Sequence, residues 1–151
     1  MKKSKQHSAS NRISTTLRKT RRHNITKYTT SNLVSTLLTF QIKLKLFHWN
    51  TDNYAQHKAS DQLHTDLSEN IDSFDEKMLG TTPKDRLREV KVCVKPSTET
   101  LTSIVTDVNK LKPYLIHMHF SPDTQSNSDL LNIRDEMLGQ LNQFLYLIKL
   151  H

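Results

Sequence analysis

The chain has 151 residues, 34% of them apolar and 25% charged, with two glycines and four prolines, which suits one compact domain and resembles neither a disordered chain nor a repeat array. A single cysteine, Cys93, excludes an internal disulfide and a thiolate metal cluster, so any metal site must be built from His, Asp and Glu. No stretch approaches the ~18 consecutive apolar residues of a bilayer-spanning helix, and the first thirty residues lack the apolar run of a secretory signal, so the expected protein is soluble and not obviously exported.

The net charge of +7 is unevenly distributed. Residues 1–51 carry eleven Lys or Arg and no acid, whereas residues 52–151 carry the other eleven and all fifteen Asp and Glu, so an acidic body follows a basic arm. Nine of the arm's cations are Lys2, Lys3, Lys5, Arg12, Arg18, Lys19, Arg21, Arg22 and Lys27. The scattered Ile13, Leu17, Ile25 and Tyr28 between them are too few to offset the entropy of ordering, which predicts a disordered basic tail over residues 1–30. A flexible polycation neutralises phosphates with counterion release, so its natural partner is DNA or RNA, bound without sequence preference. The same composition also suits a solubilising tail, a mitochondrial import signal, or packing against anions inside a virion or other assembly.

After the hydroxyl-rich Thr29 to Asn32, the series Leu33, Leu37, Phe40, Leu44 and Phe47 has helical spacing and predicts a helix over 31–50. A polar break, Asn50 to Asn53, separates it from Ala59, Leu63, Leu67, Ile71, Phe74 and Met78, which predict a second helix of about 25 residues ending at Gly80. Residues 81–96 form a long connection, within which Asp85 to Val94 reads equally as a short helix or a strand. Cys93, beside Val92 and Val94, is expected to be buried. From Ser97 a third helix (Leu101, Ile104, Val105, Val108, Leu111) reaches Pro113, which should kink or end it, with Tyr114 to Phe120 as a continuation beyond the kink. Ser121 to Asn127 reads as a loop, and Leu130 to Ile148 as a last helix. The expectation is an all-α four-helix bundle over residues 31–151 with a long connection between helices two and three.

One stripe is left unexplained by the core. With Ala59 at zero and ~100° per residue, the apolar series of helix two falls between roughly 0° and 120°, while His57, Asp61, His64, Asp72 and Glu76 fall between roughly 140° and 260°. A solvated polar face is the ordinary reading. However, His57–Asp61 and Asp72–Glu76 are both i,i+4 pairs, the spacing at which two side chains on one helix share a ligand. The two pairs lie about 16 Å apart along the helix, so one chain's copies cannot hold one ion. A two-fold mate with its second helix antiparallel would bring one chain's His57–Asp61 beside the other's Asp72–Glu76. His48, across the short break, would add a third contribution. Elsewhere, His117 and His119 are two residues apart and do not face together on a helix, so they read as ordinary core or surface histidines.

These residues carry a resemblance. The run Lys45-Leu46-Phe47-His48-Trp49-Asn50 resembles the first-helix signature of the Dps family, the mini-ferritins named DNA-binding proteins from starved cells. His57-Lys58-Ala59-Ser60-Asp61, followed by Asp72 and Glu76, is similar to that family's second-helix ligand pattern. Asp129-Leu130-Leu131 and Leu141 to Ile148 resemble its closing motifs. The connection between His48 and His57 is shorter than the family's usual one, and in this it looks closest to ferritin-like proteins of large DNA viruses and phages. No Glu here has a His three residues later, so the intrasubunit Glu-x-x-His site of the larger ferritins is not expected.

The resemblance implies a ferritin-like bundle and an intersubunit iron site formed by His48, His57 and Asp61 of one subunit with Asp72 and Glu76 of its two-fold mate. It further implies Fe(II) oxidation by peroxide or O₂, iron storage or detoxification, and a homo-oligomeric shell, in the family a dodecamer. Imidazole and carboxylate donors suit iron in both oxidation states. Trp49 beside the site reads either as an electron-transfer or radical-quenching residue or as helix-end packing. His64 shares the stripe but stands outside the family's ligand set. The resemblance also fits a cytoplasmic or nucleoid-associated protein, or one carried in a virion. The alternative function is a catalytically silent ferritin-like scaffold that packages or condenses nucleic acid.

Overall fold

The computed structural model describes residues 30–81, 87, 89–95, 100–118 and 127–150. Four helices make up its regular structure: α1 (Thr30–Asn50), α2 (Tyr54–Thr81), α3 (Leu101–Ile116) and α4 (Ser128–Leu147). No described residue lies in a β-strand, and among the described residues no helix is long and apolar enough to cross a membrane.

Each helix forms where its apolar residues repeat once per turn, and each buries that stripe. In α1 the buried residues include Leu33, Leu37, Phe40, Leu44 and Phe47, and in α2 they include Leu63, Leu67, Ile71 and Phe74. The three-residue turn 51–53 is short because Asn53 caps α2 at once: its side-chain oxygen accepts from the Gln56 N–H at 3.0 Å, and its carbonyl accepts from the His57 N–H at 2.9 Å. α3 opens with a reciprocal capping box between Thr100 and Ser103.

The helix ends correct several sequence expectations. Gly80 does not terminate α2, which runs to Thr81, and no glycine has positive φ. Pro113 does not end α3; the helix passes through it for one more turn, and the His117 N–H closes onto the Pro113 carbonyl at 3.0 Å. The proline is exposed, so the carbonyl that loses its helical partner can be solvated. Residues 89–95 form neither helix nor strand. Cys93 is exposed rather than buried, because this stretch runs along the bundle with Val90 partly buried against it while Lys91, Val92 and Cys93 face outward. The remainder of the Asp85 to Val94 segment except Leu87, Pro96, His119 and the loop 121–126 fall outside the described residues.

The packing order around the bundle is α1, α2, α4, α3, so α2 and α3, though consecutive in sequence, sit on a diagonal. Lys43 of α1 pairs with Asp107 of α3 at 2.7 Å, and one groove runs from Asn32 to Lys43 on α1 and from Asp107 to Tyr114 on α3. The two helices are therefore antiparallel, and α3 starts at the end of the bundle where α1 finishes. α2 finishes at the other end. The connection from 82 to 100 must span the length of the bundle, and among its described residues the Lys91 N–H donates to the Ser35 hydroxyl at 3.2 Å. A single long crossover of this kind distinguishes ferritin-type bundles from up-down-up-down ones.

The core where these helices meet is continuous from Leu33 to Ile148. Phe74, with no exposed surface, lies in its middle, so Phe74→Ala is expected to cost about 3–5 kcal/mol, read as a lower urea midpoint.

Candidate metal centre

His48 at the end of α1 and His57 in the first turn of α2 face each other across the 51–53 turn. Their rings stack with centroids 4.0 Å apart and planes 25° from parallel. Nδ1 of His48 lies 3.1 Å from the His57 carbonyl, and Nδ1 of His57 lies 3.1 Å from the His48 carbonyl. A carbonyl only accepts, so both Nδ1 atoms must carry the proton. In the neutral form that pair of bonds fixes the tautomer of each ring and leaves each Nε2 with its lone pair, the form in which imidazole binds a metal. Asp61, one turn beyond His57, brings Oδ1 to 3.7 Å from the His48 Nε2. Three of the residues singled out in the sequence thus converge, and the shortened turn places His48 in reach.

The pocket around His48 was not legible in the sequence. His48 is buried, and beneath it lies Ser60, which is fully buried. The Ser60 hydroxyl is within hydrogen-bonding distance of the Gln56 carbonyl at 2.8 Å and the His57 carbonyl at 3.0 Å, and its oxygen stands 3.4 Å from Nδ1 of His48. This polar floor orients a ring that apolar spacing alone would have assigned to the core. The signal available was position: Ser60 precedes Asp61 and follows Ala59 on the inward side of α2.

Asp72 and Glu76 are not part of this cluster. Both are exposed, eleven and fifteen residues beyond Asp61 along the same helix, and so about 16 Å and more away. Among the described residues of one chain, no group of three or more His, Cys, Asp or Glu side chains is arranged to hold a metal ion.

Asp75, between them, was missed. The same helical arithmetic puts it near 160°, on the stripe, but it belongs to neither i,i+4 pair. Its Oδ1 is buried without a hydrogen-bond partner, as is Oε1 of Gln140 on α4. Burial, and then the neighbouring Asp72 charge, raise its carboxyl from 3.8 to about 6. Because the folded pKa lies above the unfolded one, any stabilisation is complete below pH 4 and is lost as pH rises through 6. In metal-free protein Asp75→Asn should therefore raise stability by about 1 kcal/mol above pH 6, after allowance for solvent screening, and leave it unchanged below pH 4. Urea denaturation across that range checks both the size and the sign.

Around the histidine pair the surface is apolar and unpartnered. Trp49 is 66% exposed, so it does not pack into its own bundle as helix-end packing would require; Nζ of Lys45 stands 5.9 Å from its ring centroid. Tyr54 is 77% exposed and Ile42 is 43% exposed. Ile42, Leu46 and Trp49 line a shallow hollow with His64. Burial, then the Lys45 charge, lower the pKa of His64. His117, at the end of α3, is exposed and belongs to a different end-turn from any of these donors. The nine arm cations Lys2, Lys3, Lys5, Arg12, Arg18, Lys19, Arg21, Arg22 and Lys27 lie outside the described residues.

Charge separates by helix pair. α1 and α3 hold four lysines against Asp107, whereas α2 and α4 hold nine carboxylates against Lys58, Lys77 and Arg134. One wall of the bundle is therefore basic and the opposite wall acidic.

A family described as "Family of unknown function (DUF5856)" matches residues 48–148. No curated protein and no solved structure matches the chain.

Proposed function

We propose that this chain, which belongs to the DUF5856 family, is a Dps-like mini-ferritin. In this reading it oxidises Fe(II) at a site shared between two-fold-related subunits, stores or detoxifies the product, and holds nucleic acid with its basic arm. The observation that carries the reading is the reciprocal His48–His57 lock, which turns the Nε2 of His48 toward Asp61, 3.7 Å away. Three donors from one chain make half of a site, and Asp72 and Glu76, exposed on the same helix, are the donors a two-fold mate would supply. Iron enters as substrate: two Fe(II) each give one electron to a peroxide, which takes up two protons and leaves as two waters.

Three further features support this. The single crossover between α2 and α3 is the ferritin connectivity. The exposed Ile42, Trp49 and Tyr54 flank the half-site, where a second copy would cover them. The acidic α2–α4 wall would line the inside of a shell and draw in Fe(II), leaving the basic wall and arms outside. The segment matched by the family also contains all five proposed donors, while the arm lies beyond it. In this reading Trp49, exposed at the end of α1, passes or quenches an electron. The shell is a homo-oligomer with two-fold interfaces, a dodecamer by analogy with Dps, acting in the cytoplasm or nucleoid or carried in a virion.

The test is anaerobic addition of Fe(II) to the purified protein, then peroxide or air, following ferric absorbance. Oxidation well above the buffer rate supports a ferroxidase. Oxidation at the buffer rate leaves the scaffold reading, in which the bundle assembles and the arm condenses nucleic acid.

A further inference from the structure

We propose that the groove between α1 and α3 binds a free single-chain fatty carboxylate, at a site that shares no residue with the iron reading. The groove encloses about 640 Å³, within the usual range for small-molecule sites. Phe40, Leu111 and Tyr114 contribute to its lining. The wall is drier than its composition suggests: the Thr36 hydroxyl donates to the Asn32 carbonyl at 2.8 Å and the Thr39 hydroxyl to the Ser35 carbonyl at 2.6 Å. Donors already committed to the helix are poor partners for a sugar or a base, which disfavours polyhydroxylated ligands.

Charge at the rim selects an anion. Lys43, Lys91 and Lys110 all line the groove, against one carboxylate, Asp107. Asp107 is shared, 2.7 Å from Lys43 and 3.7 Å from Lys110, and Lys91 is 3.2 Å from Glu89. Among the lining residues, three ammonium groups stand against one carboxylate, so the rim is basic. The Lys91 and Lys110 side chains are 82% and 74% exposed, and ion pairs that open are weak enough to yield to a ligand. A single negative head over an aliphatic tail matches a basic rim above an apolar floor. A flat membrane surface does not match a concave slot.

Calorimetric titration of the full chain with decanoate, kept below its micelle concentration, tests this, with acetate and 1-decanol as head-only and tail-only probes. Saturable one-to-one decanoate binding is expected, with acetate silent and decanol at least about tenfold weaker. Lys91→Glu with Lys110→Glu, both at exposed positions, should weaken decanoate at least about tenfold, and Thr36→Phe should abolish binding by filling the groove. Circular dichroism melts establish that each variant is folded. No saturable binding, equal affinity for decanol, undiminished binding in both folded variants, or binding to anionic vesicles without binding of free decanoate would each overturn the proposal.

Discussion

Replacing Asp72 and Glu76 together by alanine is expected to slow Fe(II) oxidation at least about 100-fold while leaving the bundle as stable as before. Both side chains are exposed and lie outside the core, so their loss removes no buried contact. Even residues that only support metal ligands change affinity or activity by about 10–100-fold, and loss of two carboxylate donors from a shared site should exceed that. The informative control is Glu69→Ala, an exposed carboxylate on the same helix outside the donor set, which should oxidise iron at the wild-type rate. Stopped-flow ferric absorbance measures the rates, and urea midpoints show whether the variants remain folded. Equal slowing by Glu69→Ala would mean that the acidic wall acts only as a diffuse attractor.

Deletion of residues 1–28 should abolish DNA binding and leave both assembly and iron oxidation intact. Those residues contain the nine cations from Lys2 to Lys27 and no acid, and they precede Thr30, where α1 begins. If most of the nine engage phosphates, affinity should fall by about 10³ or more between 50 and 200 mM salt, and the slope should disappear with the deletion. Several arms on one assembly bind collectively, so dissociated subunits should bind far more weakly than the intact shell. Gel shifts across a salt series, paired with sedimentation of the same samples, separate these effects. Undiminished binding by the truncated protein would move nucleic-acid recognition to the basic α1–α3 wall.

The helices were readable because each core residue recurs once per turn: the Leu33 to Phe47 and Ala59 to Met78 series are buried as spaced. Their ends were harder, since Gly80 and Pro113, both common at helix ends, lie inside their helices, Gly80 by a single residue. The connection resisted because residues 89–95 make few local bonds and follow the surface of α1, so their path is set by contacts such as Lys91 with Ser35 that have no local sequence signature. Half of the candidate site was visible as i,i+4 pairs. The remainder, namely the tautomer lock between His48 and His57, the buried Ser60 and the unpartnered Asp75, depends on how α1 and α2 meet across three residues and on what α4 places opposite α2. Trp49 shows the same limit from the other side: its exposure follows from the angle at which α1 ends, which apolar spacing does not specify.

The most direct test of a site shared between subunits is complementation. His57→Ala/Asp61→Ala and Asp72→Ala/Glu76→Ala chains, each expected to be inactive alone, are co-expressed in equal amounts and assayed for Fe(II) oxidation. A mixed dimer has one site assembled entirely from wild-type donors and one lacking all four, and random pairing makes half the dimers mixed, so activity should return to about a quarter of wild type. Assemblies shown to contain both chains yet remaining as inactive as either variant alone would contradict the shared site.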